Sequence, residues 1–367
     1  MLGFAIMHAR ETVTAQRRGS AVAVLLCFGI LAAATPSPAQ FALELDLDIE
    51  ESRVTMNLLE SWSNIYAGRQ TVFHAVIRSK STFAGSLAWR FHSRGTTIAE
   101  DQKRINAAAF APVTIDIPLP VPDLKTGSIA GATLDVVLRE DDFEAPTAQQ
   151  SRPLWIFHEN PFRLRTRWTD DLRLSLYDPK SRTATKLQTM GIPFTRLHDL
   201  DPTLSQIENV LIVGEGLALT DYSGLFDTLI RLADQGVSCI LLAPLNGEIS
   251  LPGIGDVDLP RPAGLAFRDT DVIHRFDPRL DADYWPRDGE LVAMRLRLSG
   301  ERGAVFGHIQ ELGDGWPWIE MDYGKDKGTL LVCGLRIIEK WEETPAPRYL
   351  FMRMLEHLQP PAPDAEE

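Results

Sequence analysis

The stretch NVLIVGEGLALTD, residues 209–221, decides the fold prediction for this chain. It is almost wholly apolar up to Val213, as expected of a strand covered on both faces of a parallel sheet, and then turns at Gly214, Glu215 and Gly216. A strand that runs into a tight glycine turn ahead of a helix is where many α/β enzymes hold a nucleophile. Here glutamate lies between the glycines, so the turn is a catalytic elbow, an elbow without its nucleophile, or a plain turn.

The surrounding segments predict a doubly wound α/β domain over residues 154–359. Apolar runs alternate with amphipathic stretches and short connections, a rhythm typical of βαβαβ units. The predicted strands are LRLSLYDP (172–179), PFTRLHDLD (193–201), NVLIVGEG (209–216) and VSCILLAP (237–244); a late meander holds AVFGHIQ (304–310), PWIEMDYG (317–324) and GTLLVCGLRI (328–337). The predicted helices are SRTATKLQTMG (181–191), DYSGLFDTLIRLADQG (221–236) and APRYLFMRMLEHL (346–358), whereas 245–266 is rich in glycine and proline and predicts a long excursion.

Residues 40–142 follow a different period. Short runs such as RQTVFHAVIRS (69–79), GSLAWRFHS (85–93) and ATLDVVLRED (132–141) alternate apolar and polar side chains, which predicts an antiparallel, immunoglobulin-like β-sandwich with Trp89 in its core. Alternating Pro118, Pro120 and Pro122 predict an edge strand. The polar, proline-bounded residues 143–153 are interpreted as a linker, and 360–367 as a disordered tail.

The first 39 residues are interpreted as a Sec-type signal peptide. Arg17 and Arg18 precede the apolar run 20–34, and Ser37-Pro38-Ala39 supplies small residues for cleavage after Ala39. The alternative is an uncleaved anchor, which the shortness of the apolar run disfavours. We therefore expect a periplasmic or extracellular protein with no stable membrane insertion after cleavage. A net charge of -13 disfavours nucleic acid as a partner.

No cofactor or metal site is predicted. Beyond the signal, Cys239 and Cys333 lie in apolar runs and are interpreted as buried thiols, with a disulfide as the alternative. The sequence contains no HxH, HExxH or CxxC motif. The acidic runs 46–51 and 139–144 lack the D-x-D-x-D-G pattern of a calcium loop, and GEGLAL lacks the third glycine of a dinucleotide-binding loop.

The C-terminal part resembles the class I glutamine-amidotransferase-like fold. The resemblance rests on the βαβαβ start, the glycine turn after the third strand, the late GKDKG hairpin (324–328) and LLVCGLRIIEKWEETPAPRYLFMRMLEHL (330–358). More closely, these features resemble the non-catalytic version found in the trimerisation domain of bacterial β-galactosidases and in secreted proteins of unknown function. In catalytic members, a cysteine occupies the turn and a late loop supplies His and Glu. Here Glu215 occupies the turn and IIEKWEE (337–343) contains no His, so the resemblance implies a domain without thiol chemistry.

Carboxylates at the predicted strand ends keep a second function open. Asp178, Asp199, Asp201 and Glu215 fall at the edge where open α/β sheets bind ligands, and a pair of carboxyls at suitable distance hydrolyses glycosides. Asp178 and Glu215 are thus the weak catalytic candidates. A helix N-terminus behind Glu215 is expected to stabilise its anion and to lower its pKa, which makes it a poor general acid.

The remaining candidate ligand contacts are Asn246 and two loop tryptophans. Trp285 and Trp316 lie in Gly-, Pro- and Asp-rich surroundings that predict exposed loops, where an aromatic ring either stacks on a sugar or pins its loop to the core. With Gly214, Glu215, Gly216 and Asp199, they form the predicted ligand-binding set. The sequence favours a secreted, non-catalytic binding or assembly protein with a carbohydrate or protein partner and the option of a homo-oligomer; the alternative is a carbohydrate-active hydrolase.

Overall fold

A computed structural model describes residues 52–200, 207, 209–246, 249–250, 259–296, 298–299 and 315–359. The predicted signal peptide, the acidic run 46–51, Asp201, the strand 304–310, much of the excursion 245–266 and the tail 360–367 lie outside these residues. Within the described part, the chain is a mixed α/β structure that contains mostly sheet and few helices. No described helix is both long enough and apolar enough to cross a bilayer.

The first eight strands form two sheets around one core. They are β1 (Val54–Leu58), β2 (Asn64–Tyr66), β3 (Gln70–Ser79), β4 (Phe83–Ser93), β5 (Thr96–Ala107), β6 (Val113–Pro120), β7 (Ile129–Glu140) and β8 (Ala148–Phe157). One sheet has the order β1-β3-β6 and the other β2-β8-β7-β4-β5. Alternate residues of both sheets, among them Phe73 and Phe91, supply a common buried cluster. The apolar residues that recur at every second position of these strands therefore face the core, as the sequence predicts.

Two local predictions for this part are confirmed. Trp89 is buried in the shared core. β6, which carries Pro118 and Pro120, pairs only with β3 and lies at a sheet edge, where the missing proline N–H groups can face away from the ladder.

The predicted linker 143–153 is wrong in its second half. Residues from Ala148 onward form β8, which pairs antiparallel with β7 over ten residues. Pro153 had suggested a boundary, but β2 joins β8 only from Trp155, so the strand has a neighbour on one side at the proline. The β-rich part thus extends to Phe157, past the predicted boundary at residue 153.

The second part is built on a seven-stranded sheet of order β10-β9-β11-β12-β17-β16-β14. Its strands are β9 (Leu174–Tyr177), β10 (Thr195–Leu197), β11 (Val210–Val213), β12 (Ser238–Leu242), β14 (Gly264–Arg268), β16 (Trp318–Asp322) and β17 (Thr329–Cys333), and β13 (Ile249–Ser250) pairs separately with β15 (Leu298–Ser299). The first five strands in this order are parallel, and β16 pairs antiparallel with both β17 and β14. The sheet is therefore mixed rather than wholly parallel.

Helices cover both faces of this sheet. They are α1 (Thr166–Asp171), α2 (Arg182–Thr189), α3 (Leu225–Asp234), α4 (Asp271–Phe276) and α5 (Pro345–Leu358). Residues of each central strand alternate between two cores: Val210 and Ile212 join the cluster that contains α5, and Leu211 and Val213 join the cluster that contains α3. Because both faces are buried, these strands are apolar throughout.

The β-rich part and the sheet contact each other through buried polar groups. The Asp281 carboxylate accepts bonds from the backbone N–H groups of Ser63 and Asn64 at 2.8–3.0 Å. The Tyr66 hydroxyl donates to the carbonyls of Trp341 at 3.2 Å and Thr344 at 2.8 Å. From Arg53 onward the chain forms one compact unit.

Candidate functional site

The carboxyl ends of the parallel strands bring the predicted turn close to several other predicted residues. β9 and β11 are neighbours in register from Leu174 opposite Val210 to Tyr177 opposite Val213. Asp178 directly follows β9, and Gly214, Glu215 and Gly216 directly follow β11. The strand order reverses at this pair, because β10 lies on one side of β9 and the later strands lie on the other. In open α/β sheets, such a switch point is where ligands bind.

Glu215 is the most constrained residue of this edge. Its side chain is 4% exposed, and its carboxylate accepts hydrogen bonds from the backbone N–H groups of Ile338 at 2.6 Å and Glu339 at 2.9 Å. Its own N–H donates to Thr183 Oγ1 at 3.0 Å. Glu215 therefore joins the turn after β11 to the loop after β17, more than 120 residues further along the chain.

The ionisation of Glu215 differs from the sequence-based expectation. Burial raises the pKa of its carboxyl to about 7, although the Ile338 and Glu339 amides and the charge of Arg182 favour the anion. The helix that follows the turn in sequence, α3, begins only at Leu225, after a 3-10 turn at Leu219–Asp221. The predicted lowering of the pKa is therefore wrong, and the turn is not the strand–turn–helix elbow of a nucleophile.

Asp178 is also buried and hydrogen-bonded. It is 2% exposed, and its Oδ2 accepts the backbone N–H of Ala184 in the first turn of α2 at 2.8 Å. A Cβ on Gly214 would lie 2.7 Å from the Asp178 Cγ, so only glycine fits at residue 214 beside this side chain. The two catalytic candidates thus lie at neighbouring strand ends, but each carboxylate is held by backbone amides.

Both described cysteines are unsuited to nucleophilic chemistry. Cys239 and Cys333 are free thiols with no exposed surface. Burial raises the pKa of the Cys239 thiol far above its usual range and that of Cys333 to about 12, so both stay protonated at neutral pH. The prediction of buried thiols is confirmed for these two residues.

The structure separates the other predicted ligand contacts. Asp199 and Asn246 are exposed. Burial raises the pKa of Tyr177, and the charge of Asp199 adds to this rise. The backbone carbonyl of Asn246 accepts the Leu219 N–H at 3.2 Å. Asn246 continues the strand-end edge after β12, where its backbone bridges to Ala218. Both side chains can reach a ligand from solvent.

The expectation of an exposed ring at Trp285 is wrong. Its side chain is fully buried, and its indole N–H donates to the Asp281 carbonyl at 2.8 Å. Trp285 therefore pins its loop to the core and has no free face for a sugar. Trp316 is half-buried and packs against Phe267 with ring centroids 5.6 Å apart.

Three basic side chains at the same edge were missed by the sequence analysis. Lys180 and Arg182 follow β9, and Arg196 lies in β10; all three are exposed. Lys180 Nζ donates to the Gly216 carbonyl at 2.6 Å, and Arg196 Nη2 donates to the Asp178 carbonyl at 3.3 Å and to Ser181 Oγ. The signal in the sequence was DPKSR (178–182), two cations directly after a strand.

An open cleft of about 530 Å³ is lined by none of the predicted site residues. Two of its charged lining residues, Arg336 and Glu290, pair at 2.5 Å, and Arg336 also pairs with Glu339 at 2.6 Å. The lining residues are Thr270, Ala282, Asp283, Glu290, Leu291, Val292 and Arg336. Among the described residues, no group of three or more His, Cys, Asp or Glu side chains is arranged to hold a metal ion.

Comparisons with known proteins do not identify a family for this chain. No family model and no curated protein matches the chain. The CARDB domain of the PF1109 protein of Pyrococcus furiosus, solved with di-metal ions, is similar over 28% of this chain and 86% of its own, with 6% identity and a TM-score of 0.22.

Two further solved structures are similar over comparable shares of the chain. Pseudomonas fluorescens alkylpurine DNA glycosylase AlkC bound to abasic-site DNA matches over 29% of this chain and 31% of its own, with 12% identity and a TM-score of 0.22. A protein from Archaeoglobus fulgidus matches over 28% of this chain and 94% of its own, with 8% identity and a TM-score of 0.20. At such TM-scores these similarities carry no argument about function.

Proposed function

We propose that this chain is a secreted, non-catalytic binding or assembly protein of the cell envelope. In this proposal an N-terminal signal peptide directs it to the periplasm or the exterior. An immunoglobulin-like sandwich precedes a degenerate glutamine-amidotransferase-like domain, and the partner is a carbohydrate or a protein.

The observation that carries the proposal is the use of Glu215. In the catalytic relatives implied by the resemblance, the turn after the third strand holds a reactive cysteine. Here the side chain at the corresponding turn is 4% exposed and accepts the amides of Ile338 and Glu339. The two described thiols are buried and protonated, so they offer no substitute nucleophile.

The topology supports the finer fold assignment. The parallel strands β10-β9-β11-β12-β17 follow one another in the order 2-1-3-4-5, the order of flavodoxin-like doubly wound sheets. The two facing sheets of β1–β8, antiparallel apart from the parallel β2–β8 pair and with strands of alternating burial, support an immunoglobulin-like sandwich.

The rival function is a hydrolase that uses Glu215 and Asp178. One observation favours it: a carboxyl with a pKa of about 7 is suited to general acid catalysis near neutral pH. Against it, both side chains are at most 4% exposed and hydrogen-bonded to backbone amides. Neither carboxyl group is therefore accessible to a substrate.

The test is a turnover screen with matched variants. Chromogenic glycoside, ester and peptide substrates are incubated with the wild type, Glu215→Gln and Asp178→Asn, and folding is checked by circular dichroism. We expect no turnover by any of the three proteins. Turnover by the wild type that disappears in folded Glu215→Gln would contradict the non-catalytic proposal and support the hydrolase.

A further inference from the structure

A cluster of three cations surrounds the switch point of the sheet. Lys180 and Arg182 come from the connection between β9 and α2, and Arg196 comes from β10. Parallel pairing of β10 with β9 places Arg196 opposite Leu176, two residues before Asp178, so that Arg196 meets Lys180 and Arg182 at one strand-end edge. We call Lys180, Arg182 and Arg196 the basic cluster.

The contacts of the basic cluster hold its members around one small area. Lys180 binds the Gly216 carbonyl at 2.6 Å, and a Cβ on Gly216 would lie 3.3 Å from Arg182 Nη1. Arg196 binds the Asp178 carbonyl and the Ser181 hydroxyl. Gly216 has a φ of +85°, a conformation that favours glycine, and without a side chain it leaves the space beside Arg182 open.

The positive charge of this cluster is not neutralised by surface carboxylates in the described part of the chain. No ion pair within 4.0 Å joins Lys180, Arg182 or Arg196 to a carboxylate among the described residues. Of the acids at this edge, Asp178 and Glu215 are buried and bonded to backbone amides, and the exposed Asp199 forms no ion pair with a described residue of the cluster. Exposed cations therefore face solvent here, although the whole chain carries a net charge of -13.

The basic cluster differs in this respect from the cations of the loop that follows β17. Arg336 pairs with Glu290 and Glu339, and Lys340 pairs with Asp288 at 2.6 Å and Glu343 at 3.1 Å. Those cations are already matched by anions of the same loops. A ligand that supplies negative charge gains most at the unmatched cluster.

We propose that the basic cluster binds the phosphoryl group of a small soluble ligand. A phosphate monoester carries a charge of about -1.5 to -2 at pH 7 and three acceptor oxygens, which suits cations that approach from three positions of the chain. A carboxylate offers only two oxygens. The net charge of -13 repels an anionic bilayer, which favours a soluble phosphate ester over a lipid headgroup as the source.

This inference deepens the proposed binding function and rests on it. The site lies at the crevice where open α/β sheets take their ligands. Lys180 and Arg196 would each retain one backbone contact and turn their remaining N–H donors to the ligand. Arg182 donates no hydrogen bond to a described residue, so its guanidinium as a whole can turn to the ligand. Arg182 is accordingly the residue whose loss separates binding from local structure.

The experiment measures binding of inorganic phosphate and glycerol phosphate by calorimetry, with chloride at matched ionic strength as the reference. We expect saturable binding by the wild type, binding about tenfold weaker for Arg182→Gln, and no saturable binding for the triple variant Lys180→Gln, Arg182→Gln and Arg196→Gln. The control triple variant Arg78→Gln, Lys103→Gln and Lys125→Gln removes equal charge at exposed residues of the β-rich part and should bind like the wild type.

Three outcomes would overturn the inference. They are absence of saturable phosphate binding by the folded wild type, equal weakening in the two triple variants, and binding only to vesicles of phosphatidic acid in phosphatidylcholine. None of these outcomes produces substrate turnover. Failure of the phosphoryl site is therefore distinguishable from failure of the non-catalytic proposal, because only substrate turnover contradicts the non-catalytic proposal.

Discussion

Substitution of Glu215 by glutamine is expected to remove a pH dependence of stability. The ordinary pKa of a glutamate is 4.5, and burial raises that of Glu215 to about 7 in the folded protein. Between these values the folded state binds a proton that the unfolded state lacks, so the free energy of unfolding falls as pH rises. The contribution is complete below pH 4.5 and is lost as pH passes through 7.

The magnitude follows from the two pKa values. At about 1.4 kcal/mol per pH unit, a rise from 4.5 to about 7 corresponds to about 3 kcal/mol, of which about 2 to 3 kcal/mol is lost between pH 5 and pH 8. The glutamine side chain of the variant keeps one acceptor oxygen for the Ile338 or Glu339 amide and cannot ionise. The variant should therefore be close to the wild type at pH 5 and relatively more stable at pH 8.

The assay is urea unfolding followed by tryptophan fluorescence from pH 5 to pH 8. Trp341, fully buried in the loop that Glu215 holds, is a local reporter. His357 also contributes a slope, because its hydrogen bond to Glu320 raises its pKa and its stabilisation is lost as pH rises through that value. His357→Gln is thus the matched control. A wild type that gains stability over Glu215→Gln as pH rises would refute the reasoning, since it would mean that the two amides outweigh burial.

Two further substitutions test the packing around the edge and the contact with the β-rich part. Gly214→Ala should lower the free energy of unfolding by about 1 to 3 kcal/mol, because the new Cβ would lie 2.7 Å from the Asp178 Cγ. Gly264→Ala is the control and should be tolerated, because the nearest atom to its new Cβ lies at 3.6 Å. Equal effects of the two substitutions in urea unfolding would contradict this prediction. Arg348→Met should lower the free energy of unfolding by about 3 to 5 kcal/mol, because the fully buried guanidinium donates to the carbonyls of Trp341 at 2.6 Å and Glu159 at 2.9 Å. Arg348→Lys should lower it by less. An unchanged unfolding midpoint in Arg348→Met would show that these hydrogen bonds are dispensable.

The central strands and the last helix were predictable from sequence because burial on two faces leaves a continuous apolar run. β11 and β12 are buried almost throughout, and their runs predicted them directly. β5 was missed for the opposite reason. It is an edge strand of twelve residues in which only Ile105 and Ala107 are buried, so it has no apolar alternation over most of its length.

The candidate site was predictable only in its location. Parallel pairing places Asp178 and Glu215 at adjacent strand ends, and that much follows from the βαβ rhythm. The partners of Glu215 are amides of residues 338 and 339, which carry no side-chain signal. The burial of Trp285 was hidden likewise, since its bond to the Asp281 carbonyl depends on how the loop folds.

The loop after β17 explains why a carboxylate suits the turn after β11. Glu215 binds the amides of Ile338 and Glu339, while Arg348 and the Tyr66 hydroxyl both donate to the Trp341 carbonyl. The same short loop therefore joins the seven-stranded sheet to β2 of the β-rich part. A cysteine at residue 215 could not replace the glutamate, because a thiol is a weak hydrogen-bond acceptor and its side chain is too short to reach the two amides of that loop. We infer that Glu215 serves as a structural joint, which leaves the exposed cations beside it as the groups that can meet a ligand.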